Sequence, residues 1–431
     1  MATHYHDWGF VDNPFTTRPL KADEQGVRLL IGRDEELKLV SRRLENAPKI
    51  PTIEGSIGIG KTSLVNVAAY QLFKRYVDTQ MGALIIPCRK AFQLKPAMDA
   101  AEFVDEVVRE VAQTLIEQSK ITETLGVKVA KMPAVNKWLN SPTFTAVQAG
   151  LQFVVGVSGG SSTAQNTGDG FQRSGFRKLV FGWLQEIFEE NGGGVVCLID
   201  NMELLQQSAA AKEAIEGLRD ELLQVTGLRW VLCGANGIIQ SLLSSPRLQG
   251  VIYAPFEIKG ILDKYVPDIL TSRVSAFEEF QGDGYLPLTP GAFEQLYEIL
   301  NRNLRNLLSF ADDYCVWVAD RNLRPKTDDE KDELFNRWLK EAADSAHSAV
   351  GSQLRPRAWE VFDRAVQLGG RFSPSDYELF GCASLPALRP QVKDLEEVGL
   401  VQSSRDDTDQ RRKSIEVTSK GYLVHYSRRS K

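Results

Sequence analysis

The stretch that decides the fold is "IEGSIGIGKTSLV", residues 53–65, in which Gly55 is followed after four residues by Gly60, Lys61 and Thr62. An apolar run precedes it and a helical pattern follows, so it predicts a strand, a glycine-rich loop and a helix. Such a loop turns backbone N–H groups inward around phosphate oxygens, and the positive end of the next helix favours the anion. The stretch therefore predicts a site for the phosphates of a nucleotide.

The side chains of this loop have separate expected roles. Lys61 would bridge the β- and γ-phosphates, and the Thr62 hydroxyl would ligate Mg²⁺. A chance match in a glycine-rich turn is the alternative, and the strand and helix on either side disfavour it. The loop residues expected at the nucleotide are Gly55, Ser56, Ile57, Gly58, Ile59, Gly60, Lys61, Thr62 and Ser63.

Strand and helix patterns alternate around this loop. Buried strands are predicted at "IPTIEG", "GALIIPC", "VVCLID" and "LRWVLCGAN". Between them lie helical stripes, such as Phe103, Val107, Val111 and Leu115. This alternation predicts an α/β P-loop NTPase core, with a parallel sheet covered by helices on both faces. The strand pattern stops after about residue 255.

Polar side chains end two of the predicted strands. Asp200 ends "VVCLID", where a carboxylate can hold Mg²⁺ through water, and a turn-forming aspartate is the alternative. Asn236 ends "LCGAN", where an amide can orient an attacking water. An asparagine that simply forms a turn before Gly237 fits that position equally well.

Length and composition limit the class of protein. The chain has 431 residues, 43% hydrophobic and 25% charged, which predicts two or three soluble globular domains. Its apolar runs are too short to span a bilayer, and "MATHYHDWGF" lacks the pattern of a signal peptide, so a cytoplasmic protein is predicted. The scattered cysteines predict buried free thiols rather than disulfides or a metal site.

Changes of pattern along the chain predict the domain boundaries. The segment 119–175 holds a strand-like run and a Gly/Ser/Asn/Thr stretch, which predict an insertion with a mobile surface loop. Helical patterns replace strands after residue 255. The expected units are an N-terminal arm at 1–30, an ATPase core at 31–255, an all-α lid at 256–322, a helical linker at 323–354 and a winged helix at 355–431.

The order of these motifs resembles the AAA+ ATPases. The phosphate loop, acidic strand end, "GAN" strand end and helical "NRNLRNLL" are most similar to the origin-recognition and cell-division-control initiator branch and to the related STAND-type signalling ATPases. "LIGRDEEL", residues 30–37, resembles the start of that module. The resemblance implies ATP as the nucleotide, Arg33 near the adenine, Asn236 at the sensor-1 position and Arg305 at the sensor-2 position.

The same resemblance gives Arg247 a role between subunits. In "SSPRLQG", Arg247 stands where such proteins often carry an arginine finger for a neighbouring subunit, which implies self-assembly through ATP interfaces. A solvated surface arginine is the alternative.

One position departs from the family pattern. Most active members have an acid directly after the metal-binding aspartate, and this chain has Asn201 there. An amide cannot accept a proton at neutral pH. Glu203 would substitute if the strand end turns suitably. The sequence therefore predicts ATP binding with slow hydrolysis.

The C-terminal segment predicts three helices followed by a β-hairpin, the layout of a winged helix. The runs are "RPRAWEVFDRAV", "SPSDYELFG", "LPALRPQVKDLEEVGLV" and "VQSSRDDTDQRRKSIEVTSKG", the last resembling MarR-type regulators. Residues 355–431 hold 14 Lys and Arg against 11 Asp and Glu, whereas the rest of the chain is acidic. The expected DNA contacts are Arg389, Gln391 and Lys393 in the major groove, and Arg405, Arg411, Arg412 and Lys413 on phosphates or a minor groove.

A winged helix that contacts only protein is the alternative. The acids Asp406, Asp407 and Asp409 dilute the charge of the wing, and Pro390 interrupts the recognition helix. The clustered cations favour DNA. The predicted function is an ATP-switched protein that binds duplex DNA. The alternatives are a STAND-like signalling or anti-mobile-element defence ATPase, and an energy-coupled motor.

Overall fold

The structure is a computed structural model, and it describes most of the chain. The described residues are 4–46, 48–95, 98–124, 143–145, 163–165, 173–205, 208–235, 237–404 and 414–429. Asn236 and the predicted wing-tip residues Arg405, Arg411, Arg412 and Lys413 lie outside these ranges, as does most of the predicted insertion 119–175.

The strands and helices are numbered in chain order. The strands are β1 (Thr52–Glu54), β2 (Leu84–Pro87), β3 (Thr143–Thr145), β4 (Thr163–Gln165), β5 (Gly193–Ile199), β6 (Leu228–Gly234), β7 (Phe256–Glu257), β8 (Arg371–Phe372), β9 (Val401–Ser404) and β10 (Ser414–Val417). The helices up to the end of the sheet are α1 (His4–Asp7), α2 (Glu24–Leu29), α3 (Asp34–Glu45), α4 (Lys61–Thr79), α5 (Ala100–Glu117), α6 (Ser119–Thr124), α7 (Arg173–Asn191), α8 (Ser208–Leu218) and α9 (Ile238–Leu242). The later helices are α10 (Val266–Phe277), α11 (Pro290–Ile299), α12 (Leu304–Asp320), α13 (Asp328–Ser348), α14 (Pro356–Gln367), α15 (Leu385–Glu397) and α16 (Ser419–Arg429).

A five-stranded parallel sheet forms the centre of the core. Its strand order is β2-β5-β6-β1-β7, and each neighbouring pair is parallel. All five carboxyl ends therefore meet at one edge, and β1 carries the phosphate loop there. The predicted α/β P-loop fold class is confirmed. The last strand of this sheet, β7, begins at Phe256, next to the predicted boundary near residue 255, and pairs with β1.

Helices cover both faces of this sheet. Along β5, Val195, Cys197 and Ile199 join the core that α5 and α7 complete, whereas Val196 and Leu198 join the core formed with α3 and α4. Successive side chains of a strand point to opposite faces, so a strand that is apolar throughout must be covered on both sides. The run "GGVVCLI" is buried at every position, which accounts for its place inside the sheet.

The lid follows the sheet and is built from α10, α11 and α12. Thr289 caps α11 by accepting from the Ala292 amide, and Asn303 caps α12 by accepting from the Asn306 amide. Helix α13 comes next and starts with a capping box between Thr327 and Glu330. Its apolar side chains lie in the same core as the lid, so the segment predicted as a linker is packed against its neighbours.

The N-terminal arm packs against the lid. Tyr5, Trp8, Phe10 and Phe15 are buried in the lid core, and the Tyr5 hydroxyl donates to Asp312 at 2.7 Å. The arm contains α1, and α2 lies at the end of its predicted range, 1–30. This packing brings the end of the arm to the start of the core.

The C-terminal unit, residues 355–429, has the predicted order of three helices and a hairpin, with two further elements, β8 and α16. Helix α14, strand β8, a 3-10 helix at Pro374–Phe380 and helix α15 precede the antiparallel pair β9–β10, and β8 pairs with β10. Helix α15 continues through Pro390. Helix α16 follows the hairpin and packs on α13, where the Ser427 hydroxyl donates to Asp344 at 2.7 Å.

Two predictions about the rest of the chain can be compared with the structure. The cysteines are free, four of them buried and Cys88 half-buried, as expected. Within the segment 119–175, β3 and β4 form an antiparallel pair. Among the described residues, no helix has the length and apolarity needed to cross a membrane.

Candidate nucleotide-binding site

The phosphate loop connects β1 to α4 at the carboxyl edge of the sheet. Gly55 begins the loop, and its backbone N–H donates to the Gly234 carbonyl at 3.3 Å. Gly58 has a φ of +83°, and a Cβ there would lie 2.7 Å from the Cβ of Arg305 in the lid. Only glycine fits this approach without displacing the lid helix. The glycines of the motif thus serve both loop curvature and lid contact.

Lys61 and Thr62 begin helix α4 at the loop. The Lys61 ammonium, buried at 5% exposure, donates to the carbonyl of Gly55 at 2.8 Å and to that of Ser56 at 3.1 Å. The Thr62 hydroxyl hydrogen-bonds to the Asp200 carboxylate. The strand-end aspartate and the loop hydroxyl therefore meet, as the sequence predicted for a shared Mg²⁺ site.

One cavity joins the loop, the lid and the arm. Gly58 to Ser63 line it together with Arg33, Asp200, Asn201 and Arg305. Its apolar lining is supplied by Leu20, Leu29, Leu30, Ile31, Ile261, Ile269, Leu304 and Leu308. The predicted residues Gly55, Ser56 and Ile57 instead contact Lys61 and the lid. A cavity with cations and amides beside an apolar wall suits a nucleotide, whose phosphates and base need those two surroundings.

Arg33 lies in this cavity with its side chain almost fully buried. It forms an ion pair with Glu36 at 2.9 Å and donates to the Ile59 carbonyl of the loop at 3.2 Å. The structure therefore brings Arg33 to the predicted cavity, where it also holds the loop backbone in place.

Asn201 sets the direction of the chain after the metal-side strand. It has a left-handed backbone with φ 55°, and its backbone N–H donates to the Asp200 carboxylate at 2.9 Å. The chain then turns into a 3-10 helix, Met202–Leu205, which carries Glu203. That Glu203 replaces the missing acid stays a prediction.

Glu203 is half-buried, and the Oε2 atom of its carboxyl is buried with no hydrogen-bond partner among the described residues. Burial raises the pKa of the Glu203 carboxyl, the Lys61 ammonium opposes that rise, and Asp200 adds to it. A raised pKa makes the carboxylate a stronger base. Glu203 is not among the residues that line the cavity.

Arg305 extends from the start of α12 beside the loop. Its backbone amide donates to the Gly58 carbonyl at 3.2 Å, and its exposed side chain lines the cavity. No carboxylate among the described residues forms an ion pair with it. The structure therefore brings Arg305 to the cavity, and its sensor-2 role stays a prediction.

Arg247 lies away from this cavity, in the segment after α9. Its guanidinium is half-exposed and pairs with Asp220 of the same chain at 2.8 Å. A role for Arg247 at a neighbouring subunit would require exchange of this surface ion pair. The other predicted member of the site, Asn236, lies outside the described residues, directly after β6.

Several residues of the site were not predicted from the sequence. The Leu20 amide of the arm donates to the Ser63 hydroxyl at 3.0 Å, and the Asn66 amide group donates to the Leu20 carbonyl at 2.8 Å. Arg273 of α10 lines the cavity and donates to the carbonyls of Pro14 at 2.8 Å and Thr16 at 3.3 Å. The arm therefore forms one wall of the site.

Arg273 is unusual because it is buried away from carboxylates. Its exposure is 4%, and its Nε has no hydrogen-bond partner among the described residues. Burial lowers the pKa of the Arg273 guanidinium to about 10. A charged residue within the apolar helical run "ILTSRVSAF" was the available sequence signal for this position.

The donor set of the site fits Mg²⁺. One carboxylate and one hydroxyl, Asp200 and Thr62, face the same cavity as the phosphate loop, and Mg²⁺ prefers few protein oxygens together with phosphate oxygens and waters. These two side chains would hold the ion, which would neutralise phosphate charge when bound. Neither belongs to a larger cluster, since no metal-binding group of three or more His, Cys, Asp or Glu occurs among the described residues.

The predicted DNA-contact residues that the structure describes lie on α15. Arg389 and Lys393 are exposed, and Lys393 pairs with Glu397 at 3.5 Å. Gln391 is only partly exposed, and its Oε1 is buried without a hydrogen-bond partner among the described residues. Arg389 is therefore the best placed of the three to meet a phosphate or a base.

Comparisons with known proteins give similarity to solved structures alone. No family model matches the sequence, and no curated protein matches it. A Walker-type ATPase of Pyrococcus abyssi is 15% identical with a TM-score of 0.47, covering 95% of this chain and 99% of that one. The ORC2 protein of Aeropyrum pernix is 10% identical with a TM-score of 0.47, covering 98% of each chain. The ORC1 protein of the same organism, solved in complex with DNA, is 14% identical with a TM-score of 0.40, covering 93% of this chain and 96% of that one.

Proposed function

We propose that this chain binds ATP with Mg²⁺ between core and lid, hydrolyses it slowly, and uses the nucleotide state to control binding of duplex DNA by its C-terminal unit. The observation that carries the nucleotide part is the meeting of Lys61, Thr62 and Asp200 at one cavity.

Each side chain of the site has a task in this mechanism. The Lys61 ammonium would bind the β- and γ-phosphates, and Thr62 and Asp200 would hold Mg²⁺. Arg305 would stabilise negative charge on the γ-phosphate from the lid side. Glu203 would accept the proton of the attacking water. Because Glu203 is half-buried and is not among the residues that line the cavity, turnover should be slow.

The nucleotide proposal is tested by changing Lys61→Met and measuring Mg·ATP affinity by titration calorimetry. Lys61 is the one ammonium of the loop, so its loss should weaken binding at least tenfold, equivalent to about 1.4 kcal/mol. Lys74→Met is the matched control, because Lys74 lies on the same helix and pairs at the surface with Glu24. If the unmodified chain and both variants bind ATP equally, or none binds it, the proposal fails.

The DNA part of the proposal rests on the C-terminal unit as a winged helix. Helices α14 and α15, the 3-10 helix between them and the β9–β10 hairpin follow the predicted order, and the basic run Arg411 to Lys413 lies between the two hairpin strands. Arg389 is exposed on α15, the helix that would enter the major groove. These features give the unit cations on the two elements that meet DNA in such domains.

Changing Arg411, Arg412 and Lys413 together to Ala tests this part. Loss of three phosphate contacts should weaken duplex binding and reduce the slope of log K against log salt by about 2.7. The control changes the exposed Lys38, Lys264 and Lys340 to Ala, which removes the same charge from the core, lid and linker helix. Equal salt slopes for both triple variants, or no duplex binding by the unmodified chain at low salt, would exclude DNA as the ligand.

A second candidate function is a STAND-like signalling or defence ATPase whose C-terminal unit binds protein. It is favoured by the internal pairing of charges on α15, where Lys393 meets Glu397 and Asp394 meets Arg355 at 2.6 Å. Leu379, at the turn before α15, is 53% exposed. Under this function, ATP would still bind at Lys61, and duplex DNA would not compete with the partner.

A further inference from the structure

A short turn in the lid contacts the phosphate loop on one side and the C-terminal unit on the other. We call Asn301–Asn303 the junction turn. Asn301 and Arg302 both have left-handed backbones, with φ of 53° and 57°. The Arg302 guanidinium holds the turn against the segment that enters the lid, through two 2.8 Å hydrogen bonds to the Asp263 carboxylate.

On the loop side, the junction turn is bonded directly to the phosphate loop. The side-chain amide of Asn303 donates to the Ile57 carbonyl at 2.8 Å, while its oxygen caps α12 by accepting from Asn306 at 3.1 Å. One side chain thus connects the loop to the start of the helix that carries Arg305. A Cβ on Gly58 would lie 3.0 Å from the Asn303 oxygen, so the two segments are in close contact.

On the other side, the junction turn is bonded to the C-terminal unit. The side-chain amide of Asn301 donates to the Gly369 carbonyl at 3.1 Å. The next carbonyl, that of Gly370, accepts from Val417 of β10 at 2.8 Å. A Cβ on Gly370 would lie 1.7 Å from the Tyr422 hydroxyl and 3.3 Å from the Asn301 amide. Asn301 is therefore bonded to Gly369, and the neighbouring Gly370 is bonded to β10, the strand that follows the predicted wing tip.

Next to the junction turn, the loop and the C-terminal unit face each other across open space. A cavity of about 610 Å³ is lined by Ser56 of the loop and by Arg371 and Glu416 of the C-terminal unit. Asn301, Arg302 and Asn303 line the same cavity. At this place the turn bridges two segments that would otherwise be separated by solvent.

We propose that the junction turn couples the phosphate loop to the C-terminal unit, with Asn303 as the positioning residue for the loop and Asn301 as the positioning residue for the unit. The inference rests on the proposed nucleotide binding. Phosphate binding draws loop amides inward and so reorients the carbonyls of the same peptide units, one of which is the acceptor of Asn303. By thermodynamic linkage, a C-terminal unit held in place would in turn tighten nucleotide binding.

Hydrogen exchange of the full chain, read by mass spectrometry with and without Mg·ATP, tests the coupling. The two peptides to follow cover residues 56–64 in the loop and residues 368–373 at β8. Asn301→Gly removes the amide donor and keeps a residue that tolerates the left-handed backbone. The matched control is Asn322→Gly, since Asn322 also has a left-handed backbone, with φ 52°, at the end of α12.

In the unmodified chain and in Asn322→Gly, Mg·ATP should slow exchange in both peptides. In Asn301→Gly it should slow exchange in the loop peptide alone, with the effect at residues 368–373 lost. Slowing at residues 368–373 that persists in Asn301→Gly overturns the role of Asn301. Slowing confined to the loop peptide of the unmodified chain overturns the coupling and leaves nucleotide binding standing. No slowing in either peptide overturns both.

Asn303→Ser gives a second, independent measurement. Serine keeps an oxygen able to cap α12 and loses the donor to the Ile57 carbonyl. Mg·ATP affinity should fall about fivefold, the effect of one hydrogen bond. The helix cap should survive, so the melting temperature without nucleotide should stay close to that of the unmodified chain. Unchanged affinity in this variant overturns the positioning role of Asn303.

Discussion

Replacing Glu203→Gln removes the carboxylate proposed to take the proton of the attacking water. Glutamine has nearly the same shape but cannot accept that proton. Loss of a general base lowers turnover by about 10² to 10⁴, which corresponds to about 3–5 kcal/mol of barrier. The buried, unpartnered Oε2 and the raised pKa of Glu203 place this residue among bases that the protein environment has strengthened.

The assay is single-turnover hydrolysis of γ-labelled ATP with protein in excess, so that slow chemistry is measured without product release. Glu213→Gln is the matched control, because Glu213 is exposed on α8 and loses the same charge. Mg·ATP affinity should be similar in both variants. A rate for Glu203→Gln within threefold of the control would refute the base role. Turnover of many ATP per second in the unmodified chain would refute the argument from Asn201.

The pH dependence has a definite sign. Because the folded-state pKa of Glu203 is raised above its ordinary value of 4.5, the base form is lost, and hydrolysis should fall, as pH drops through that raised pKa. The free energy of unfolding has the opposite pH dependence to hydrolysis. The contribution of this carboxyl is fully present below its unfolded pKa and is lost as pH rises through the folded pKa. Glu203→Gln should therefore be more stable than the unmodified chain above the folded-state pKa of Glu203, and the difference should vanish below the unfolded-state pKa.

Three further changes test separate parts of the structure. Arg247→Ala should abolish ATP-dependent assembly in sedimentation and leave ATP affinity intact, whereas Asp220→Ala should free Arg247 and preserve assembly; loss of assembly in both would contradict a finger role. Arg305→Ala should weaken Mg·ATP binding about tenfold by calorimetry, and unchanged affinity would remove it from the site. Arg273→Met should expose the arm, because methionine has no donor to replace the hydrogen bonds from Arg273 to the Pro14 and Thr16 carbonyls. Limited proteolysis within the first 20 residues measures that exposure, and a cleavage pattern like that of the unmodified chain would count against it.

The central sheet was predictable because its strands are continuous apolar runs. β5 is buried at every position, and a short, continuous apolar run between helical patterns is typical of a buried strand in a parallel sheet. β7 was missed because it has only two residues, Phe256 and Glu257, and no pattern. Its pairing with β1 depends on the position of the whole core, which a local reading of the sequence does not contain.

The candidate site also contains residues that could be predicted from the sequence and residues that could not. Lys61, Thr62 and Asp200 follow from a motif of fixed spacing and from a strand end, and they meet as predicted. Arg273 and Asn303 were missed because their partners are distant in sequence. The Asn303 bond to Ile57 joins residues 246 positions apart. No periodicity or spacing rule connects residues so far apart.

The sequence of helix α13 contains a pattern that favours a packed helix over a linker. Its segment was predicted as a helical linker because of its acidic start and small residues. Phe335, Trp338 and Leu339 recur at the spacing of a buried helical face, and all three are buried. Large aromatic side chains at such spacing favour a packed helix over a spacer, and the same holds for the aromatic residues of the arm.

The position of the arm has a consequence for how the chain folds during synthesis. Tyr5 is synthesised 307 positions before its hydrogen-bond partner Asp312. The aromatic side chains of the arm therefore lack their packing partners until the lid helices have been synthesised. Contacts of such long sequence separation form late. The nascent chain can complete the sheet with its phosphate loop well before the wall supplied by residues 5–20 closes the cavity.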